Sequence, residues 1–132
     1  MLWTGGCLCG RRHYEFEADL DAIGLCHCNM CKKATGGPFA LLARIREDAL
    51  RWTDHRPASY RSSPIATRGF CPDCGTPLYL NYDGDDYIRL TIGSFDHPER
   101  VSGPDGHYGI ESRLPWVDCW ADLPGETTKE EF

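Results

Sequence analysis

Cysteine is the residue type with the clearest chemical pattern in this 132-residue chain, which contains eight cysteines. Seven of the eight lie in tight clusters with the spacings C-x-C, C-x-C-x-x-C and C-x-x-C. Such spacings place two or three sulfur atoms on one ion, and thiolate sulfur is a preferred ligand of zinc. The clusters therefore predict a zinc protein. Their members are Cys7 and Cys9; Cys26, Cys28 and Cys31; and Cys71 and Cys74.

An even number of cysteines is also compatible with a disulfide framework. Disulfides persist mainly in exported proteins. The first residues, Met-Leu-Trp-Thr-Gly-Gly, do not form the charged and then apolar segments of a secretory signal. The chain is therefore expected in the reducing cytoplasm, where clustered cysteines bind metal rather than one another.

The C-x-C pair beginning at Cys7 and the C-x-x-C pair beginning at Cys71 each supply two thiolates, so together they can complete a four-thiolate site. Each pair is followed by a glycine, Gly10 or Gly75, which can adopt the left-handed backbone conformation of a tight turn. A zinc ion with four protein ligands has no coordination position for a substrate. This site is predicted to be structural and to tie the first strand to the middle of the fold.

The remaining cluster, Cys26, Cys28 and Cys31, offers three thiolates within six residues. Three protein ligands and one open position are the usual arrangement of a catalytic zinc ion. A fourth protein ligand would instead close the site. The candidates for that ligand are Cys119 and the histidines His13, His27, His55, His97 and His107.

The ligand type predicts which reaction the three-cysteine cluster can support. Three thiolates make a divalent ion a weak Lewis acid and a poor generator of hydroxide. A soft site accepts another sulfur ligand, so activation of a thiol toward an electrophile is expected rather than hydrolysis. Lys32 and Lys33 follow the last ligand. Their charges offset the anionic cluster, receive an acidic thiol such as glutathione, or form a solvated pair on a helical turn.

Five other side chains have less distinct patterns. His27 stands between two ligands and is expected to point away from the ion, because adjacent residues rarely chelate together. His107 is expected to be a hydrogen-bonded structural residue, and Trp116 and Trp120 are expected in the core. Cys119 has no close partner in the sequence and is interpreted as a buried apolar residue, with a zinc ligand or a reactive thiol as alternatives.

The elements that position these residues have the pattern of short strands separated by turns. Between two of them, Asp83-Gly84-Asp85-Asp86 is a strong hairpin signal. One short helical turn is expected before Gly36, so the prediction is a mainly β fold of twisted antiparallel sheets with little helix. The predicted strands cover residues 12–18, 39–45, 50–53, 58–61, 65–71, 76–82 and 87–92, with an irregular edge strand at 107–120.

The length suits a single domain over residues 1–132, with 5–124 as its ordered core and 125–132 as a flexible tail. The formal net charge of −6 argues against a nucleic-acid-binding face, which needs a basic surface. No apolar run approaches the roughly 20 residues needed to cross a membrane. The expected partners are therefore small molecules, and the oligomeric state is left open.

Three motifs occur in the order G-G-C-L-C-G, C-H-C-N-M-C-K-K and F-C-P-D-C-G-T-P-L. Over residues 5–124 the chain resembles the glutathione-dependent formaldehyde-activating enzyme family, which includes CENP-V-like proteins. The resemblance implies a tent-like, mainly β fold with one structural zinc ion, which clamps the fold, and one catalytic zinc ion. The structural ligands map to Cys7, Cys9, Cys71 and Cys74, and the catalytic ones to Cys26, Cys28 and Cys31.

The resemblance also implies an activity. The enzyme that gives the family its name adds glutathione to formaldehyde, giving S-hydroxymethylglutathione, and is classed as a carbon–sulfur lyase for the reverse step. For this chain, a related thiol and a related small electrophile are also open. One alternative is a binding or scaffold module in which zinc serves only stability. Another is a redox-responsive protein whose three-cysteine cluster releases zinc on oxidation.

Overall fold

Short β-strands make up most of the regular structure. The computed structural model describes residues 1–118 and 120–129, so Cys119 and residues 130–132 lie outside the described part. That part contains ten strands, one α-helix, α1 (Asn29–Thr35), and four short 3-10 turns. The strands are β1 (Leu2–Gly6), β2 (His13–Glu17), β3 (Ile23–Cys26), β4 (Ala40–Arg46), β5 (Arg51–Trp52), β6 (Ala58–Ser63), β7 (Ala66–Phe70), β8 (Pro77–Tyr82), β9 (Tyr87–Thr91) and β10 (Gly106–Tyr108).

The strands form two sheets. The smaller has the order β1-β2-β5, and the larger has the order β10-β3-β4-β9-β8-β7-β6. Neighbouring strands are antiparallel except β10, which pairs parallel to β3. The prediction of a mainly β fold with little helix is confirmed, and the parallel edge pair is a detail that the alternating pattern did not reveal. None of the helices in the described residues is long and apolar enough to cross a membrane.

Two strands were missed from the sequence, and both contain glycine. β1 ends in two glycines and β3 contains Gly24, and glycine has a low intrinsic preference for strands. Pairing with neighbours holds them in place, since β1 pairs with β2 and β3 pairs with β4 along their whole lengths. Tertiary pairing therefore overrides local preference in the strands that lead into Cys7 and Cys26.

Alternation along β4 gives the larger sheet two different faces. Ala43 and Ile45 enter the main core, which also takes Trp3, Tyr14 and Phe16 from the smaller sheet. Side chains of the other face form a second, smaller cluster made of Cys26, Cys31, Ala40, Leu42, Ala66 and Leu80. The three-cysteine cluster is thus on the face of the larger sheet that turns away from the main core.

Gly5 lies where the two sheets approach each other. A Cβ atom built on it would be 2.6 Å from the carbonyl oxygen of Ser94 and 2.4 Å from the hydroxyl of Tyr14, which is fully buried. Neither neighbour can move freely, because one is backbone and the Tyr14 hydroxyl is hydrogen-bonded to the Ser94 hydroxyl at 2.8 Å. Only glycine fits at this position.

Gly5→Ala is therefore expected to lower the free energy of unfolding by about 1–3 kcal/mol, the usual cost of overpacking a core. Urea unfolding of the variant measures the change. Gly93→Ala is the matched control, because a Cβ atom there has nothing within 4 Å, and its effect should stay within about 0.5 kcal/mol. Equal stability of the two variants would contradict the close approach at Gly5.

The region predicted as an irregular edge strand at 107–120 is mostly not a strand. Pairing with β3 ends at Tyr108, and a 3-10 turn, Ile110–Ser112, follows. Trp116 and Trp120 are 50% and 40% exposed, so their predicted place in the core is wrong. Their rings instead pack on each other at the surface, with centroids 5.5 Å apart, and Trp120 also packs on Phe39.

Candidate metal centres

Two turns bring the first group of cysteines together. The turn between β1 and β2 carries Cys7 and Cys9, and the turn between β7 and β8 carries Cys71 and Cys74. The four sulfur atoms all lie within 4.8 Å of one another. Because β1 belongs to the smaller sheet and β7 to the larger, this group connects the two sheets.

The spacing of these sulfur atoms fits one metal ion. A tetrahedral zinc site with bonds of about 2.3 Å places its sulfurs about 3.8 Å apart. The Sγ atoms of Cys7 and Cys9 are 3.5 Å apart, and those of Cys9 and Cys71 are 3.7 Å apart. A disulfide needs about 2.05 Å, and the cysteines in the described residues are free. The donor set therefore matches zinc and not a pair of disulfides.

Backbone geometry and nearby charges hold the first group in place. Gly75 has a φ of +83° and donates its backbone N–H to the carbonyl of Cys71 at 2.8 Å. This left-handed conformation favours glycine, which is the residue at this position. Arg12 donates its backbone N–H to the sulfur of Cys7 at 3.2 Å, and its side chain forms an ion pair with Asp73 in the opposite turn. The two turns are thus joined by an ion pair as well as by the cysteines.

The three-cysteine cluster lies where β3 ends and α1 begins. Cys26 is the last residue of β3, Cys28 is the N-cap of α1, and Cys31 lies in the first turn of the helix. Cys28 caps the helix with its sulfur, which accepts the backbone N–H of Cys31 at 3.3 Å. The Sγ atoms of Cys26 and Cys28 are 3.4 Å apart, and all three sulfurs lie within 4.8 Å of one another. This donor set also fits a single soft ion.

A fourth donor does not join this group within residues 1–118 and 120–129. His27 is fully buried and directs its Nε2 atom to Nδ1 of His107 at 2.8 Å. This agrees with the prediction that His27 points away from the sulfurs and that His107 is hydrogen-bonded. His13 and His97 lie beside acidic residues at 3.7 Å and 3.0 Å instead. Cys119, the remaining cysteine candidate, is outside the described residues.

Arg68 is a site residue that the sequence reasoning missed. It lies on β7, is only 7% exposed, and donates from Nη2 to the sulfur of Cys31 at 3.4 Å. The pKa of Cys31 falls to about 5, mainly because of a hydrogen bond from Cys26 and further because of the Arg68 charge. The hydrogen bond to Cys31 raises the pKa of Cys26 in turn. The sequence could have indicated Arg68 only through its position on the inward face of a predicted strand.

Arg68→Met is expected to weaken zinc binding at the three-cysteine cluster by about 10–100-fold, the usual cost of removing a partner that supports a metal ligand. The reason is that the thiolates lose the cation that balances their excess negative charge. Competition with a chelator measures the affinity. Arg68→Lys retains the charge and should recover part of the loss, whereas equal affinity in all three proteins would exclude this role.

Lys32 is hydrogen-bonded to the segment that covers the three-cysteine cluster. Its ammonium donates to the carbonyl of Ser112 at 2.8 Å, so it anchors the turn after β10 rather than forming a solvated pair with Lys33. Gly109 approaches closely as well, since a Cβ atom there would be 3.0 Å from the backbone nitrogen of Cys28. The segment after β10 therefore lies directly over Cys28.

A cavity of about 370 Å³ opens beside the three-cysteine cluster, with Cys26 in its wall. It lies against the face of the larger sheet that turns away from the main core. Its lining combines apolar side chains with two arginines and an aspartate. The lining residues are Ala22, Ile23, Gly24, Leu25, Cys26, Leu42, Arg44, Leu80, Tyr82, Arg89, Asp105 and Tyr108.

Comparison with known proteins identifies the family. Among solved structures, a Rhodobacter sphaeroides protein superposes with a TM-score of 0.63 at 20% identity, covering 79% of this chain and 98% of that one, which shows a shared fold. An uncharacterized lyase of Schizosaccharomyces pombe is 30% identical over 80 residues, which is 61% of this chain and 58% of that protein. The chain thus spans little more than half the length of that relative. Residues 2–110 match the profile of the glutathione-dependent formaldehyde-activating enzyme family, and the chain belongs to this family.

Proposed function

We propose that this protein is a zinc-dependent enzyme of the carbon–sulfur lyase type, which forms or cleaves the adduct of a thiol such as glutathione with formaldehyde or a related small electrophile. One observation carries the proposal: the three-cysteine group has Cys26 in the wall of a cavity large enough for a small ligand. The match to the family and the lyase name of the yeast relative support the same reaction class.

The two cysteine groups have different roles in this proposal. Cys7, Cys9, Cys71 and Cys74 would hold a structural zinc ion, because four thiolates complete its coordination. Cys26, Cys28 and Cys31 would hold the catalytic ion. When bound there, zinc supplies a coordination position that accepts the sulfur of a thiol substrate and favours its thiolate form.

The surrounding residues prepare this group for thiol chemistry. Arg68 offsets the negative charge of the thiolates from the buried side, and Leu42 and Leu80 add apolar side chains to the cavity wall. In the reaction, the thiol sulfur bonds to the carbonyl carbon of formaldehyde, and the thiol proton ends on the former carbonyl oxygen. The product is an S-hydroxymethyl thioether, and cleavage is the same step reversed.

The test is exchange NMR between free glutathione and S-hydroxymethylglutathione in the presence of formaldehyde. The zinc-loaded protein should raise the exchange rate in proportion to its concentration, and removal of the more labile zinc ion with a chelator should abolish the increase. The same assay with 2-mercaptoethanol shows whether a simple thiol is sufficient. If no thiol and electrophile exchange faster with the protein than without it, the proposed reaction is wrong.

A non-catalytic binding module is the second candidate, because Trp116 and Trp120 form an exposed aromatic pair near the segment that covers Cys28. Exposed tryptophans are common at the centre of protein interfaces. This candidate predicts an unchanged exchange rate and a zinc ion at the three-cysteine cluster that resists the chelator. The enzyme predicts the opposite for both measurements.

A further inference from the structure

We infer that a second cavity, of about 480 Å³, binds a purine mononucleotide, and that its polar groups favour guanine over adenine. This inter-sheet cavity is lined by residues of β5 and the loop after it, of β8 and β9, and of the 3-10 turn after β4. The site is independent of the proposed reaction, since it takes a different ligand at a different place in the fold. The ligand class is a planar base that carries adjacent N–H groups and a phosphate monoester.

The inter-sheet cavity lies on the opposite face of the larger sheet from the three-cysteine cluster. Tyr79 and Asn81 of β8 line it, together with Ile88, a residue of the main core. Leu80 and Tyr82, which alternate with them along the same strand, line the cavity beside the three-cysteine cluster instead. The other wall comes from β5 of the smaller sheet. A ligand between the sheets therefore does not compete with a substrate at the three-cysteine cluster.

Two aromatic rings in the inter-sheet cavity are held in place but do not stack on each other. The rings of Trp52 and Tyr79 have centroids 6.3 Å apart and planes inclined by 52°, and both residues are only half-buried. Trp52 packs edge-to-face on the buried Tyr14, with centroids 5.3 Å apart. Tyr79 lies across Gly69, where a Cβ atom would collide with its ring. The two rings therefore offer preformed faces on which a planar base can stack.

The charges of the cavity lining favour an anion. Arg51 and Arg56 line it, against the single carboxylate of Glu47. Arg51 uses Nη2 for its ion pair with Glu15 and keeps its other N–H groups. Within residues 1–118 and 120–129, the exposed guanidinium of Arg56 forms no ion pair. A phosphate monoester carries nearly two negative charges and suits the planar fork of arginine. The net charge of −6 disfavours a long nucleic acid, so the ligand is a mononucleotide.

Glu47 and Asn81 present hydrogen-bond acceptors to the base. Asn81 donates from Nδ2 to Oε1 of Glu47 at 3.2 Å, so its donor is occupied. Its Oδ1 atom is buried and accepts no hydrogen bond from the described residues, and a small rotation about its terminal bond would turn it toward a ligand. A carboxylate and an amide oxygen match two neighbouring donors, which guanine has in its N1–H and N2–H₂ groups. Adenine instead places the N1 acceptor beside its amine, so guanine is favoured.

The loop that carries Arg56 is tied to the turn that carries Cys71. Arg12 donates from Nε to the carbonyl of Arg56 at 3.3 Å, and its guanidinium forms an ion pair with Asp73. A nucleotide that contacts this loop and both sheets should therefore stabilise the folded state. The midpoint of thermal unfolding is expected to rise with nucleotide concentration, which is a readout that does not depend on catalysis.

The test is a calorimetric titration of the zinc-loaded protein with guanosine 5′-monophosphate. Adenosine 5′-monophosphate, guanosine and inorganic phosphate are titrated in parallel, and each lacks the guanine edge, the phosphate or the base. Each should bind about tenfold more weakly than guanosine 5′-monophosphate, the loss expected for one charge-assisted hydrogen bond. If guanosine 5′-monophosphate does not bind, or binds no more tightly than inorganic phosphate, the inference is overturned.

Two substitutions locate the site, and both replace exposed side chains, so the fold should survive. Arg56→Met should weaken the binding of guanosine 5′-monophosphate by about tenfold. Arg100→Met is its control, because Arg100 is also exposed but does not line the cavity. Glu47→Gln should remove the preference for guanine over adenine. Its control is Asp48→Asn, since that carboxylate is bonded to Arg46 outside the cavity.

The variants also define the results that contradict a site between the sheets. Equal affinity of Arg56→Met and Arg100→Met would exclude the inter-sheet cavity as the place where the phosphate binds. An unchanged preference for guanine in Glu47→Gln would exclude the assigned recognition of the base. None of these results alters the thiol exchange assay, which tests the proposed reaction by itself.

Discussion

Cys9→Ser is expected to remove most of the stability of this fold, although Cys9 is an exposed residue. Exposed substitutions usually change the free energy of unfolding by no more than about 0.5 kcal/mol. Here the serine would remove one of four thiolates from the proposed structural zinc ion. Structural zinc binding contributes about 10–16 kcal/mol in small zinc domains, which equals or exceeds the whole stability of a typical domain. Losing even part of it should unfold the chain.

Thermal unfolding and zinc content, measured together, check this result. Cys9→Ser should bind one zinc ion fewer per chain and lack a cooperative transition at physiological temperature. Leu8→Ser is the matched control, since Leu8 is in the same turn and is 78% exposed but has no donor atom for a metal. If both variants unfold alike, the group of four cysteines does not hold a stabilising ion.

The grouping of the cysteines could be predicted from the sequence because it depends on short spacings. A C-x-C or C-x-x-C turn places its two sulfurs together whatever the rest of the chain does. The number of available thiolates then separates a group of four from a group of three. The structure places Cys7 with Cys71, 64 positions further along the chain, and leaves the three sulfurs around Cys28 as a separate group.

The surroundings of the three-cysteine cluster could not be predicted, because they depend on strand register. Arg68 reaches Cys31 only because β7 and α1 share one face of the larger sheet, and one residue of slippage would turn its side chain to the other face. The contact between His27 and His107 requires β10 to pair with β3, which no local pattern indicates. The cavity is likewise a product of strand order.

Cys28→Ser is expected to abolish turnover while leaving the fold intact, the reverse of what is expected at Cys9. Cys28 is the N-cap of α1 and accepts the backbone N–H of Cys31 at 3.3 Å. Serine is among the best N-cap residues, so the helix should persist and the free energy of unfolding should change by about 1 kcal/mol or less. The thiolate is lost, however, and only two cysteines of the cluster remain.

The exchange assay, zinc analysis and thermal unfolding of Cys28→Ser distinguish the candidate roles of this cluster. Loss of one zinc ion and of exchange, with a normal unfolding transition, assigns catalysis to Cys26, Cys28 and Cys31. Exchange at the wild-type rate would exclude the cluster as the reaction site. Unfolding as severe as in Cys9→Ser would make the second ion structural and favour the binding module. Comparing the two serine variants therefore separates the structural role proposed for one cysteine group from the catalytic role proposed for the other.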